Sequence, residues 1–174
     1  MTTKRAGKLR VLGIDPGSRK LGFAVVEEVK SVTRLLECGV ISVPAQLPLG
    51  DRLVLLADQL NSVIVRMKPQ HYSIEKVFMG KNVDSAFVLG HARGVAMMVC
   101  HRNHMRGAEY STKSAKKMLT GNGGATKEQV KYFVETLFKT QVSSLDATDA
   151  VALAVCGLRS LELQVLMNNQ GVGL

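Results

Sequence analysis

The sequence predicts an α/β fold, a mixed sheet with helices on both faces. Two tight connections between apolar runs near the N-terminus predict an antiparallel start. A change of period over residues 49–67, followed at once by another strand, predicts a crossover to a parallel neighbour. Helix, strand and further helices then follow, which is the order of a sheet with both faces covered.

Residues 11–15, VLGID, read as a short buried strand. A turn at Pro16-Gly17-Ser18 leads to a second strand over 21–27, and LLECGVISV at 35–43 reads as a third. Leu53, Leu56, Ala57, Leu60, Val63, Ile64 and Met67 recur at three and four, as one face of a helix does, and Pro69 marks its end. A fourth strand is expected over 72–77, then a long apolar helix over 83–101 whose small residues permit close helix approach. Residues 108–110 suggest a fifth strand. Thr112 is placed as the cap of a short helix ending at Gly121. Thr126 with Gln129 three residues later is a capping box, opening a helix with Val130, Phe133, Val134 and Leu137 inward. The last helix is expected over about 145–167.

The chain has 174 residues, enough for one domain with a core of its own. The expected division is a basic N-terminal extension at 1–9, a single domain over 10–167 and a flexible polar tail at 168–174. Lysine and arginine outnumber acids 23 to 14, and a formal charge of +9 favours a polyanionic partner through counterion release. Charge alone does not separate DNA from RNA or an anionic membrane surface. The three cysteines, Cys38, Cys100 and Cys156, are far apart and odd in number, which reads as reduced thiols in a cytoplasmic protein. No stretch is expected to span a membrane, because the apolar run at 150–158 soon meets Arg159 and Glu162. His101 and His104 fall at a spacing that can hold a metal, but no third ligand stands nearby.

Four carboxylates stand out by position. Asp15 ends the first strand, Glu75 ends the fourth, and Asp146 and Asp149 lie three apart on one face at the start of the last helix. Each has an ordinary reading as well. Asp15 suits a turn before Pro-Gly, Glu75 suits a pair with Lys76 or Lys81, and Asp146 suits a first helical turn capped by Ser143 or Ser144. Four acids brought together at strand ends in a basic chain would need a counter-charge. Magnesium supplies it with oxygen ligands and retained waters, and two such ions could act on both sides of a phosphodiester.

Four blocks then carry a resemblance. LGIDPGSRKLGFAVV at 12–26, IEKVFMGKNVDSAFVLGHARGVA at 74–96, KKMLTGNGGATKEQV at 116–130 and DATDAVA at 146–152 resemble, in the same order, the RuvC family of Holliday junction resolvases. The resemblance covers nearly the whole chain. It implies a ribonuclease-H-like fold and a homodimeric endonuclease that resolves four-way DNA junctions by symmetric paired nicks. It implies that Asp15, Glu75, Asp146 and Asp149 are both the catalytic residues and the metal ligands, with two Mg²⁺ ions per site and Mn²⁺ able to substitute. It places Phe78, Lys116 and Lys127 against DNA, with Lys117 as the alternative to Lys116. The helix at 83–101 would form the dimer interface, and the RuvA–RuvB branch-migration complex would be a partner. His91 stands where many members of the family have Gln. The mechanism expected is in-line attack by water, leaving 5′-phosphate and 3′-hydroxyl ends. Three other readings are weighed against it: a sugar-kinase-like ATPase, for which the chain is too short; a junction binder without cleavage, against which the full acid set argues; and another metal nuclease of the same fold, such as a ribonuclease H or a ribosomal RNA maturation factor.

Overall fold

A computed structural model describes residues 8–76 and 83–169. The first three strands, β1 (Leu9–Asp15), β2 (Lys20–Val29) and β3 (Val32–Ser42), form an antiparallel meander. Helix α1 (Leu49–Met67) crosses to β4 (His71–Glu75), which lies parallel to β1 with Ile14 beside Ile74. Helix α2 (Val83–Arg102) crosses to β5 (Arg106–Tyr110), parallel to β4. The sheet order is β3-β2-β1-β4-β5. Three helices close the chain: α3 (Thr112–Thr120), α4 (Lys127–Phe138) and α5 (Leu145–Asn169).

Two apolar layers follow from strand alternation, since successive side chains leave opposite faces. Leu12, Ile14, Tyr72 and Ile74 pack with Leu56, Leu60 and Ile64 of α1 and with Ala96 and Val99 of α2. Val11, Ala24 and Val26 pack with Ala147, Ala150, Val151, Ala154 and Leu158 of α5. The predicted inward face of α1 is the observed one. Lys68 closes that helix in a left-handed conformation, its N–H donating to the Ile64 carbonyl at 2.8 Å, before Pro69.

Several boundaries and faces differ from expectation. The second and third strands are longer than predicted because a two-residue turn at Lys30 and Ser31, both at positive φ, joins them directly. Neither residue is the Gly, Asn or Asp that announces such a turn. Ser111, not Thr112, caps α3: its hydroxyl accepts from the Ser114 N–H. On α4 the capping box of Thr126 and Gln129 is present, and Val130 and Val134 are buried. Phe133 and Leu137, expected inward, are instead 44% and 53% exposed, because α4 rests on the domain through a narrow stripe. Helices α2 and α5 are each long and apolar enough to cross a membrane by length and composition alone, Arg159 and Glu162 notwithstanding, a test that a core helix also passes. In α5 the run from Ala147 to Leu158, apart from the half-buried Asp149, is buried in the domain. His101 bonds the Tyr72 hydroxyl at 3.0 Å, and His104 lies beyond the end of α2 at positive φ, so the two do not share a helical face. The three cysteines are free thiols.

Helix α5 lies directly on the sheet at three glycines. A Cβ on Gly13 would stand 2.0 Å from the Ala150 carbonyl oxygen, one on Gly22 would stand 2.3 Å from that of Asp146, and one on Gly157 would stand 1.8 Å from the Ser73 hydroxyl. Gly13→Ala is therefore expected to lower the melting temperature by roughly 5–10 °C through overpacking. Gly50→Ala, where a Cβ meets open space, is the control and should leave it nearly unchanged. Thermal unfolding by circular dichroism checks both.

Candidate active site

Strands β1 and β4 run parallel and adjacent, so their carboxyl ends emerge together and carry Asp15 and Glu75 to the same edge of the sheet. That edge is where open α/β sheets place their ligands. Helix α5 starts over it. The Ser144 hydroxyl accepts from the Ala147 N–H at 3.3 Å, so Asp146 lies in a capped first turn while Asp149 follows three residues on, next to the cleft. The ordinary reading of Asp146 and the site reading thus hold together.

Asp15, Glu75 and Asp149 line one narrow cleft with Thr112 and Lys116. Asp15 is pushed up to about 8, first by burial and then by the charges of Glu75, Asp149 and Asp146, with a hydrogen bond to Glu75 adding to the effect. All four predicted acids therefore act on one point. Glu75 accepts a hydrogen bond from the Thr112 hydroxyl. Lys127 Nζ lies 3.1 Å from Asp149 Oδ2, and that contact, together with the charges of Asp15 and Asp146, raises the ammonium above its usual range. Lys116 donates from Nζ to the Ala125 carbonyl at 2.8 Å, tying α3 to the loop before α4. Lys117 is exposed and does not line the cleft.

Oxygen donors in this number suit a hard divalent cation, and Asp15 is raised first by burial and then by its acidic neighbours. Among the described residues, however, no three His, Cys, Asp or Glu side chains converge as a ready-made ligand cage. With Lys127 as the cation drawn closest, the acids are crowded but not preformed around an ion. Phe78 lies outside the described residues.

Two neighbours of the site escaped the sequence reading. Thr112, taken for a helix cap, instead holds Glu75, and only the pairing of Glu75 with Tyr110 across β4 and β5 brings it there. Arg93 donates from Nε to the Glu75 carbonyl at 3.2 Å and pairs through Nη2 with Glu109 at 2.7 Å. Its signal was present, since it is a charge within an otherwise apolar helix.

Residues 11–157 match the family described as crossover junction endodeoxyribonuclease RuvC. The chain belongs to the RuvC family. It is 39% identical over 160 residues to RuvC of Bdellovibrio bacteriovorus, covering 91% of this chain and 95% of that protein. RuvC of Halorhodospira halophila is 40% identical over 148 residues, covering 84% and 88%. Among solved structures, Thermus thermophilus RuvC in complex with a Holliday junction substrate superposes with a TM-score of 0.78 at 28% identity, covering 85% of this chain and 92% of that one. The five-stranded mixed sheet with helices on both faces is accordingly the ribonuclease-H-like fold of the RuvC family.

A pH dependence follows from Asp15. Folded and free of divalent ions, its carboxyl keeps a proton up to about pH 8; unfolded, it loses it near the ordinary 3.8. The folded state binds more protons between these values, so stability is fullest below the lower one and falls as pH rises through the window. Melting temperature in EDTA is expected to drop between about pH 5 and pH 8, and Asp15→Asn to flatten that slope. An equal slope in the variant would assign the proton uptake to another group.

Proposed function

We propose that this chain is a structure-specific endonuclease that resolves four-way DNA junctions by paired, symmetric nicks. The observation that carries the reading is the meeting of Asp15, Glu75 and Asp149 in one narrow cleft, from two parallel strand ends and the start of a helix, with the charge of Asp146 also acting on Asp15, in a strongly basic protein. The Thermus relative named in complex with a Holliday junction supports the substrate.

The four carboxylates are the catalytic residues and would hold Mg²⁺, two ions per site, with Mn²⁺ able to substitute. When bound, the metal supplies the Lewis acid that neutralises the acids and polarises a DNA phosphodiester. The rest falls to side chains. Thr112 fixes Glu75, and Arg93 fixes the backbone that carries it. Asp15, protonated while the acids stand alone, gives up that proton when positive charge enters the cleft. Lys127 keeps Asp149 in place and is free to turn to a phosphate, and Lys116 lines the same wall. In the reaction, water adds to phosphorus, the bond to the 3′ oxygen breaks, and that oxygen takes a proton, leaving 5′-phosphate and 3′-hydroxyl ends. Phe78 is assigned to the unstacked bases at the branch.

The active form is a homodimer joined through α2. Its Val83, Phe87, Gly90, Gly94 and Val95 line an open apolar groove of about 520 Å³, and Phe87 is 66% exposed. Nothing stands within 4 Å of a Cβ placed on Gly90 or Gly94, which leaves room for a second helix. A four-way junction has two-fold symmetry, and a two-fold dimer presents one cleft to each of two strands. His91 lines this groove and would meet the partner copy. The nuclease domain spans 10–167, with 1–9 and 168–174 as extensions; a cytoplasmic location and handover from the RuvA–RuvB branch-migration complex complete the reading.

Nicking of a synthetic four-way junction with Mg²⁺ tests the function. Asp15→Asn is expected to lower cleavage by roughly a thousandfold or more while junction binding survives. Normal cleavage by that variant, or equal cleavage of linear duplex and RNA–DNA hybrid by the unaltered protein, would overturn the reading. Phe87→Asp should convert dimer to monomer in sedimentation velocity and uncouple the two nicks. An unchanged dimer would move the interface away from α2.

A further inference from the structure

The basic turn that follows Asp15 has no part in the acid cleft. Ser18 and Arg19, on the way from β1 into β2, form one wall of a separate groove of about 460 Å³. Arg52, near the start of α1, lies beside them, and Asp84 and Ser85, from the first turn of α2, face them. Arg52 Nη1 donates to the Ser18 carbonyl at 3.2 Å and lies 3.3 Å from the Ser18 hydroxyl. That leaves its Nε buried and without a partner. A buried guanidinium N–H with no acceptor is costly and calls for an explanation, a bound ion beside the guanidinium being one. Arg19 is exposed, and among the described residues neither Arg19 nor Arg52 has a carboxylate within ion-pair distance.

We infer that this groove is a clamp for a backbone phosphate of the DNA strand being cut, held by the Arg19 cation and the Arg52 guanidinium. This rests on the junction-nuclease reading and adds a binding site to it. The geometry argues for a phosphodiester in two ways. Two arginines present planar donors suited to phosphate oxygens. Ser18 is three residues from Asp15, hence within about 11 Å along the chain, so the clamped phosphate lies a few nucleotides at most from the scissile one. Asp84 also lines the groove and opposes an anion near its own carboxylate, so the phosphate belongs beside the arginines. The clamp would fix the register of the strand over Asp15, since phosphate contacts position rather than read sequence.

The test measures binding of a four-way junction in EDTA over about 50 to 200 mM salt. Arg19→Ala should weaken binding about fivefold to tenfold and reduce the slope of log K against log salt by about 0.9, the value of one phosphate contact. Arg52→Lys keeps the charge and loses the fork, so it should weaken binding with the slope unchanged. A scan of single methylphosphonate linkages near the cut then identifies the phosphate: one neutral linkage should weaken the unaltered protein and have no further effect on Arg19→Ala. Unchanged affinity and slope in Arg19→Ala, or independent losses at every linkage, overturn the clamp even where Arg52→Lys fails to fold. Failure of the unaltered protein to bind or cut four-way junctions would instead overturn the function on which it rests.

Discussion

Contact between the α5 backbone and the sheet governs this molecule. At Gly13 and Gly22 the helix and the strands approach so closely that no side chain fits between them, and at Gly157 the Ser73 side chain takes the space a Cβ would need. Such proximity gives the sheet face a dry apolar layer, and it sets the height of the first turn of α5 over the ends of β1 and β4. Asp146 is on that turn and Asp149 follows it on the next. A helix raised by one methyl group would carry two of the four acids away from the other two. The packing of the core and the geometry of the site are therefore one constraint, with glycine as its means.

The electrostatics follow from that placement. Four acids are forced together in a protein whose net charge is +9, and the burial of Asp15 adds to the crowding. The fold answers with local support rather than with neutralisation: Thr112 on Glu75, Arg93 on its carbonyl, and Lys127 on Asp149. Only one of these brings a positive charge to a carboxylate of the set. Among the described residues the ion pair recorded to this acid set is that of Lys127 with Asp149, an exchangeable contact that suits a site taking up cations and phosphate together. The remaining basic residues supply attraction at longer range.

Much of this was legible in one dimension. The meander, the first parallel crossover, the inward face of α1 and the capping box of α4 all follow from period, turn chemistry and caps, which are local properties. The positions of Asp15 and Glu75 at strand ends were legible for the same reason. Exposure of Phe133 and Leu137 was not, because an apolar stripe states what a helix could bury and says nothing of how much surface awaits it. The turn at Lys30 and Ser31 was also hidden, since strand pairing on both sides imposes a backbone conformation that neither residue favours alone.

Local pattern, in short range along the chain, thus supplied the elements, their order and the four acids. It could not supply Thr112 beneath Glu75, which depends on β5 lying beside β4, nor Arg93 under the same strand end, nor the orphaned Nε of Arg52 against Ser18. These are contacts between residues 18 to 37 positions apart or meetings of separate elements, and they exist only once the sheet has chosen its neighbours. Periodicity records which way a side chain points. Which groups it then meets is decided by packing, where Gly13 and Gly22 bring strand backbone against helix backbone and Gly157 makes room for the Ser73 side chain.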